Sequence, residues 1–333
     1  MVLNDGLNTD KIIRRSWALE EYILDLYGRN IETVLLGEDG ERFIIENETG
    51  KGIITSYKLY TGLYVTFNDI HMEYYTDNSK NAKNILEINH CREGRTEVNF
   101  KGNRIGFLSP GDLAAAEVDL IENTVYFPTG HYHGVSLLID LENVNKNEIF
   151  AQFNIDFEKI KKLANKEDIK IFRSNERLEH IFYEFYRGES EFIRNYLKVK
   201  VLELLLFITH INWNKEERAA AFMNKAQADK IKGIRNLIVN NLDKHFTIKE
   251  LAKKSDFSMT TLKTYFKALY GESIYAYSKR IKLEKSRILL IQNRLSVAQT
   301  ALEVGYENPA KFSSAFKKEY GISPSKFIVR MDK

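Results

Sequence analysis

Leu262, Phe266, Lys267 and Gly271 recur as Phe312, Phe316, Lys317 and Gly321, each 50 positions further on. Upstream, Ala252 recurs as Ala301, displaced by 49, so the second copy holds one extra residue in the turn between its helices. A chain that repeats a short helical pattern twice must build two small similar cores, and this constrains the C-terminal third more than any other feature. In the first copy Thr247 caps the helix IKELAKKS, with Glu250 in capping-box position. A tight Asp256-Phe257 turn follows, and Ser258 opens a second helix, MTTLKTYFKAL, closed by Gly271. Leu251, Ala252, Phe257, Leu262 and Phe266 supply the core, and Ala252 is small where the two helices cross. This plan suits a helix-turn-helix, whose second helix enters the major groove. It also suits a plain helical hairpin.

Charge favours the first option. Residues 228–333 hold 21 Lys/Arg against 10 Asp/Glu, whereas the rest holds 28 against 36. A basic third on an acidic remainder confines any polyanion contact to the C-terminal part. The outward residues of the first unit's second helix, Met259, Thr260, Lys263, Thr264 and Lys267, include no acid. In the second unit Gly305 takes the turn position that needs positive φ, Asn308 caps the next helix and Pro309 is its first residue. A connecting helix over about 273–292 turns Ile274, Tyr277, Ile281, Ile288 and Leu289 inward and leaves Lys279, Arg280, Lys282 and Lys285 outside. It would set the two second helices about one duplex turn apart.

Residues 228–327, and above all AxxxGYxNPxxFSxxFKKxxGxSP from Ala301 to Pro324, resemble the DNA-binding domain of the AraC/XylS transcription regulators. The resemblance implies double-stranded DNA as partner, with Thr260, Lys263, Thr264, Lys311, Ser313 and Ser314 reading bases. Lysine can donate to guanine, and serine or threonine can serve several bases. Lys267, Lys317 and Lys318 lie later on their helices and suit phosphate. The sequence departs from the family pattern at Asp256 (usually Gly), Lys282 and Ser286 (usually Arg and Ala), Thr300 (usually apolar) and Ser314 (often Arg).

The N-terminal part has another rhythm. The opening 48 residues read as partly helical, with Ser16 capping a helix of Leu19, Tyr22, Ile23 and Leu26 that ends at Gly28. From Ile53 to Asp140 short β-branched and aromatic runs alternate with turn signals such as Asn78-Ser79 and Pro110-Gly111-Asp112. That spacing predicts an antiparallel barrel or sandwich, so the chain as a whole is α+β. Helical periodicity returns over about 156–223. One stripe is Leu178, Ile181, Phe182 and Phe185; a second helix, Glu191 to Ile211, is expected to turn Phe192, Tyr196, Val199, Leu202, Leu206 and Ile211 inward. These helices either pack on the barrel or form a homodimer seam. The expected domains are 1–155 (effector-sensing), 156–227 (helical linker and dimerisation) and 228–333 (DNA-binding).

CREGRTEV, LSPGDLA and FPTGHYHGVSLLIDLE are similar to the pyochelin-regulator (PchR-like) branch of that family. The family resemblance implies a cupin-like barrel holding a small-molecule effector, and the branch makes iron chelates the first class to consider. His90, His131, Tyr132 and His133 are the candidates for the effector wall. His131 and His133 alternate and so share one strand face. Metal-binding cupins follow such a pair with a nearby Glu; here Glu142 comes too late, so no protein-held metal and no cofactor is expected.

The single cysteine, Cys91, excludes an intramolecular disulfide and argues against a DNA-repair protein with a zinc-held reactive cysteine. No phosphate-binding glycine loop or nucleophile elbow occurs. The expectation is a non-enzymatic, cytoplasmic regulator without membrane contact, with RNA polymerase as a further candidate partner. The alternative is a metal-dependent cupin enzyme or a repair protein fused to a helix-turn-helix module.

Overall fold

The structure, a computed structural model, describes residues 32–36, 40–76, 84–100, 103–164, 170–187, 192–211, 213, 222–292 and 295–331. The expected helix after Ser16 and the Asn78-Ser79 turn lie outside them. The strands are β1 (Glu32–Leu35), β2 (Gly40–Asn47), β3 (Gly50–Tyr60), β4 (Leu63–His71), β5 (Tyr74–Thr76), β6 (Ile85–Gly94), β7 (Thr96–Phe100), β8 (Arg104–Leu108), β9 (Asp112–Glu117), β10 (Ile121–Tyr126), β11 (Tyr132–Asp140), β12 (Lys170–Arg173) and β13 (Phe222–Asn224). The helices are α1 (Glu148–Gln152), α2 (Phe157–Lys161), α3 (Glu176–Phe185), α4 (Ile193–His210), α5 (Lys225–Val239), α6 (Ile248–Ser255), α7 (Met259–Tyr270), α8 (Ile274–Gln292), α9 (Val297–Glu303), α10 (Pro309–Tyr320) and α11 (Pro324–Met331). No helix among the described residues is long and apolar enough to cross a membrane.

The chain divides into two compact units: residues 1–94 with 110–218, and residues 95–109 with 219–333. In the first, an antiparallel sheet runs in the order β1-β2-β3-β4-β11-β6-β9-β12. Residues 40–47 are thus a strand, not the partly helical lead-in expected, and β12 interrupts the expected helical stretch by pairing with β9. One sheet face carries Val65, Ile88, Leu113, Val135 and Leu137. It shares a single core with Phe150, Phe157, Ile160, Phe182, Leu197, Val201, Leu204 and Leu205 of the helices. The other face buries Phe43, Ile54, Tyr64, Ile70 and Leu138. A sheet covered on both faces explains why its strands read as apolar runs rather than clean alternation.

Helices α2, α3 and α4 therefore belong to the sheet's own core. The stripe Leu178, Ile181, Phe182 and Phe185 is buried as expected. Helix α4 is rotated relative to expectation: Leu197, Val201, Leu204, Leu205 and Ile208 face in, while Val199 and Phe192 are 64% and 49% exposed. The helix is apolar nearly all round, so spacing alone could not choose its inner face.

The second unit begins with a hairpin whose sequence lies between two strands of the sheet. Strands β7 and β8 pair with each other, and β8 pairs with β13. Ile105 and Phe107 of β8 are buried with Met223, Ala228, Ile231 and Ile234 and with the first helix pair, α6 and α7. A second core gathers Leu283, Leu289, Leu290, Ala301, Val304, Phe312 and Phe316. The C-terminal unit thus contains residues 95–109 and 219–227 in addition to 228–333; burying two large side chains of β8 within it is worth about 1.5–3 kcal/mol each.

Candidate nucleic-acid interface

Each repeat folds from its caps inward. Thr247 Oγ1 accepts from the Glu250 amide at 3.2 Å, while the Glu250 carboxylate accepts from the Thr247 amide at 2.8 Å. That backbone hydrogen bond holds the Glu250 carboxyl below its ordinary range. Helix α6 ends at Asp256, whose φ of 56° is left-handed. Ser258 then accepts from the Thr261 amide at 3.0 Å to start α7, which ends at left-handed Gly271. In the second repeat Ser296 and Gln299 form the capping box, Gly305 is the left-handed turn residue (φ 72°), and Asn308 accepts from the Ala310 and Lys311 amides. The left-handed positions Asp256 and Gly305 correspond, and so do the caps Ser258 and Asn308. The extra residue of the second turn is therefore Glu307.

The buried sides of α7 and α10 are Leu262, Phe266 and Leu269, and Phe312 and Phe316. Their opposite sides leave Thr260, Lys263, Thr264 and Lys267, and Lys311, Ser314, Lys317 and Lys318, exposed; Ser313 is half-buried. Neither helix has an acidic residue in its first turn, so the partial positive charge of each N-terminus is not cancelled there.

The connector α8 differs from expectation. Ile274, Tyr277 and Leu289 are buried, but Ile288 is 47% exposed and Leu283 and Leu290 face in. Arg280, expected outside, bonds Glu272 and Glu284 and lies over the Tyr277 ring. Lys282 donates to the Lys244 carbonyl at 3.3 Å, and burial pulls its ammonium below the ordinary lysine range. Both are structural within this unit, which leaves Lys285 as the exposed base of the four.

The hairpin supplies contacts that no local signal announces. Arg95 donates to the Ala268 carbonyl in the last turn of α7 and to Ser109 Oγ at 2.7 Å. A guanidinium there complements the helix's negative end. Gly271 makes room for it: a Cβ at 271 would lie 2.6 Å from Arg95 Nε. Lys232 of α5 donates to Glu97 Oε1 at 2.7 Å, and Glu97 is fully buried.

In the first unit, the four residues expected to line an effector site have different surroundings. His90 is buried on the helix-covered face, stacked on Phe182 with ring centroids 4.0 Å apart and 3.0 Å from Glu179 Oε1. Tyr132 is buried on the opposite face and donates to Asn89. His131 and His133 share a side, with ring centroids 6.2 Å apart, but His133 faces Asp69 and His71. The structure brings His131 and His133 together and keeps His90 and Tyr132 apart from them. The Tyr132 face instead carries a row that sequence reasoning missed. Ser56, Thr66, Ser136 and Asn89 are successive register partners across β3, β4, β11 and β6. Asn68 Nδ2 donates to Ser136 Oγ at 3.3 Å, and burial pushes the carboxyl of nearby Glu87 up.

The helix-turn-helix domain family matches residues 251–330. Residues 251–330 form an AraC-family helix-turn-helix domain. Among curated relatives, the HTH-type transcriptional regulator MtrA of Neisseria gonorrhoeae is 24% identical over 127 residues, 38% of this chain and 42% of that protein. The Msm operon regulatory protein of Streptococcus mutans is 31% identical over 94 residues, 28% of this chain and 34% of that protein. The arabinose operon regulatory protein of Salmonella typhimurium is 31% identical over 85 residues, 26% and 30% respectively. The match spans less than half the length of each of these relatives. Within the AraC-family domain the departures noted in the sequence have physical counterparts. Asp256 occupies a left-handed position, Ser286 is buried and donates to the Leu283 carbonyl, and Thr300 is buried with its hydroxyl unpaired.

Proposed function

We propose that the protein is a sequence-specific DNA-binding transcription regulator whose AraC-family domain sets α7 and α10 into the major groove. The observation that carries this reading is the pair of recognition-type helices, each with a non-acidic Lys/Ser/Thr side left exposed opposite a buried aromatic core. Thr260, Lys263, Thr264, Lys311, Ser313 and Ser314 read bases, and Lys267, Lys317 and Lys318 hold phosphate. The test is anisotropy of the full chain with its own upstream DNA across a salt series. Log affinity falls with log salt, and Lys317→Gln with Lys318→Gln flattens the slope by roughly 0.9 per lost phosphate contact. Lys263→Met changes relative preference among sites by about 1–3 kcal/mol. A salt-independent affinity sinks the proposal.

The first unit is, in this reading, a cupin-like effector domain, and regulation by a small molecule follows. The Ser56-Thr66-Ser136-Asn89 row, with Glu87 and Tyr132, favours a polar ligand on that face of the sheet over one at His90. Iron chelates are the first class to screen, by the resemblance to the pyochelin-regulator branch. The protein acts as a cytoplasmic homodimer. The support is that Phe192, the residue before α4, and Val199 on that helix are large apolar side chains left 49% and 64% exposed, with Leu206 partly exposed. Sedimentation of Val199→Glu against the unaltered chain tests this, with a shift from dimer to monomer expected.

A further inference from the structure

At one end of the sheet, three adjacent strands place a ligand set side by side. Asp69 of β4 is the register partner of His133 of β11, and His133 is the partner of Glu93 of β6. His71 lies two residues beyond Asp69 and so shares its face. His71 Nε2 and His133 Nε2 stand 3.0 and 2.9 Å from the same oxygen, Asp69 Oδ1, and 3.4 Å from each other. Among the described residues this is the one group of three His, Cys or carboxylate side chains whose donor atoms converge within 4.8 Å.

We propose that Asp69, His71 and His133 bind a divalent first-row transition cation of the Zn²⁺ class. The separations fit: metal–nitrogen and metal–oxygen bonds of about 2.0–2.2 Å at tetrahedral angles put neighbouring donors about 3.3–3.5 Å apart. The two nitrogens already stand at that distance, and the two nitrogen–oxygen edges need to open by only a few tenths of an ångström. Without a cation an imidazole can hydrogen-bond Asp69 Oδ1 only by carrying its proton on Nε2. With one, each ring must carry its proton on Nδ1 and turn the Nε2 lone pair inward. Glu93 favours that tautomer at His133, its Oε2 lying 3.8 Å from Nδ1. Lys51 is the register partner of His71 and adds a cation to this neighbourhood, but its side chain is exposed and long enough to swing into water. Two imidazoles and one carboxylate suit Zn²⁺, Co²⁺ or Ni²⁺ rather than Mg²⁺ or Ca²⁺, which prefer all-oxygen shells. Three protein donors leave at least one position open to water or an incoming ligand. The site is independent of the DNA-binding proposal and can stand if that fails.

The strand segment that follows His131 and His133, Gly134 to Ile139, carries no carboxylate, which is why no metal is expected from it alone. The carboxylate comes from the strand beside them.

The test is calorimetric titration of the untagged, chelator-stripped full chain with ZnCl₂ and, separately, MgCl₂. One saturable Zn²⁺ site per chain is expected, with no heat from Mg²⁺. His71→Ala and His133→Ala each weaken Zn²⁺ by at least about tenfold, whereas His210→Ala, on the exposed side of α4, leaves it unchanged. Asp69→Asn keeps the shape of the side chain and removes the anion, so it reports on the site even if an alanine variant folds poorly. Absence of a saturable site, or equal Zn²⁺ affinity in Asp69→Asn and the unaltered chain, overturns the proposal.

Discussion

Inside the C-terminal unit the fully buried carboxylate of Glu97 pairs with the partly exposed Lys232, although one belongs to β7 and the other to α5: Lys232 Nζ donates to Glu97 Oε1 at 2.7 Å. Burial pushes the Glu97 carboxyl above its ordinary value of 4.5, and Lys232 pulls it back only in part. The folded state therefore holds that proton more tightly than the unfolded chain does. The Glu97 contribution to stability is fully present below about pH 4.5 and declines as pH rises through the folded value. Glu97→Gln should gain stability relative to the unaltered chain as pH rises from that point towards neutrality. Lys232→Met at neutral pH should lose about 3 kcal/mol, because it strands a buried carboxylate, and adding Glu97→Gln should restore most of it. Urea unfolding of the full-chain variants over a pH series measures both effects.

Phe107 gives a second test of the hairpin. It is buried against the helices of the AraC-family domain. Phe107→Ala should cost about 3–5 kcal/mol. Hydrogen exchange should register the loss in α5 and α7, elements more than a hundred positions away in sequence.

The two left-handed turns should respond in opposite ways. Asp256 is held in a conformation that glycine adopts freely, so Asp256→Gly should stabilise the unit by up to about 1 kcal/mol. Gly305→Ala should destabilise it, since a Cβ there would lie 2.6 Å from the Asp243 carbonyl and 2.7 Å from that of Leu242. Thermal melts of the two variants, compared with the unaltered chain, should move in opposite directions.

Thr300 is fully buried and its Oγ1 has no hydrogen-bond partner. Thr300→Val keeps the shape and removes the stranded hydroxyl. It should raise stability by about 1 kcal/mol, measured by urea denaturation.

The C-terminal repeats were legible because caps, turn residues and helical spacing are local signals. Thr247 with Glu250, Asn308 with Pro309 and the glycine ends all stand in the structure at the residues that announce them. What escaped was set by distance along the chain or by a lack of contrast. Nothing near Arg95, Glu97 or Phe107 signals that a hairpin between two sheet strands joins the helical unit. The Asp69–His133 pair depends on β4 lying beside β11, which only the strand order fixes. Helix α4 carries apolar residues on several sides, and of the stripe read as inward Tyr196, Leu202 and Ile211 pack against the core while Phe192 and Val199 stay outside.

The hairpin has a consequence for biosynthesis. The nascent chain presents residues 95–109 to solvent well before Ala219 and the helices that follow have been translated. Until then Ile105 and Phe107 lack their native cover, and β8 lacks its partner β13. The C-terminal unit cannot finish folding as an autonomous late domain; it has to recapture an early segment across a long loop, a slow kind of closure. A ribosome that stalls or terminates before α5 would release a product in which β8, paired only with β7, keeps one open edge and uncovered apolar side chains, the kind of edge that invites association with other chains.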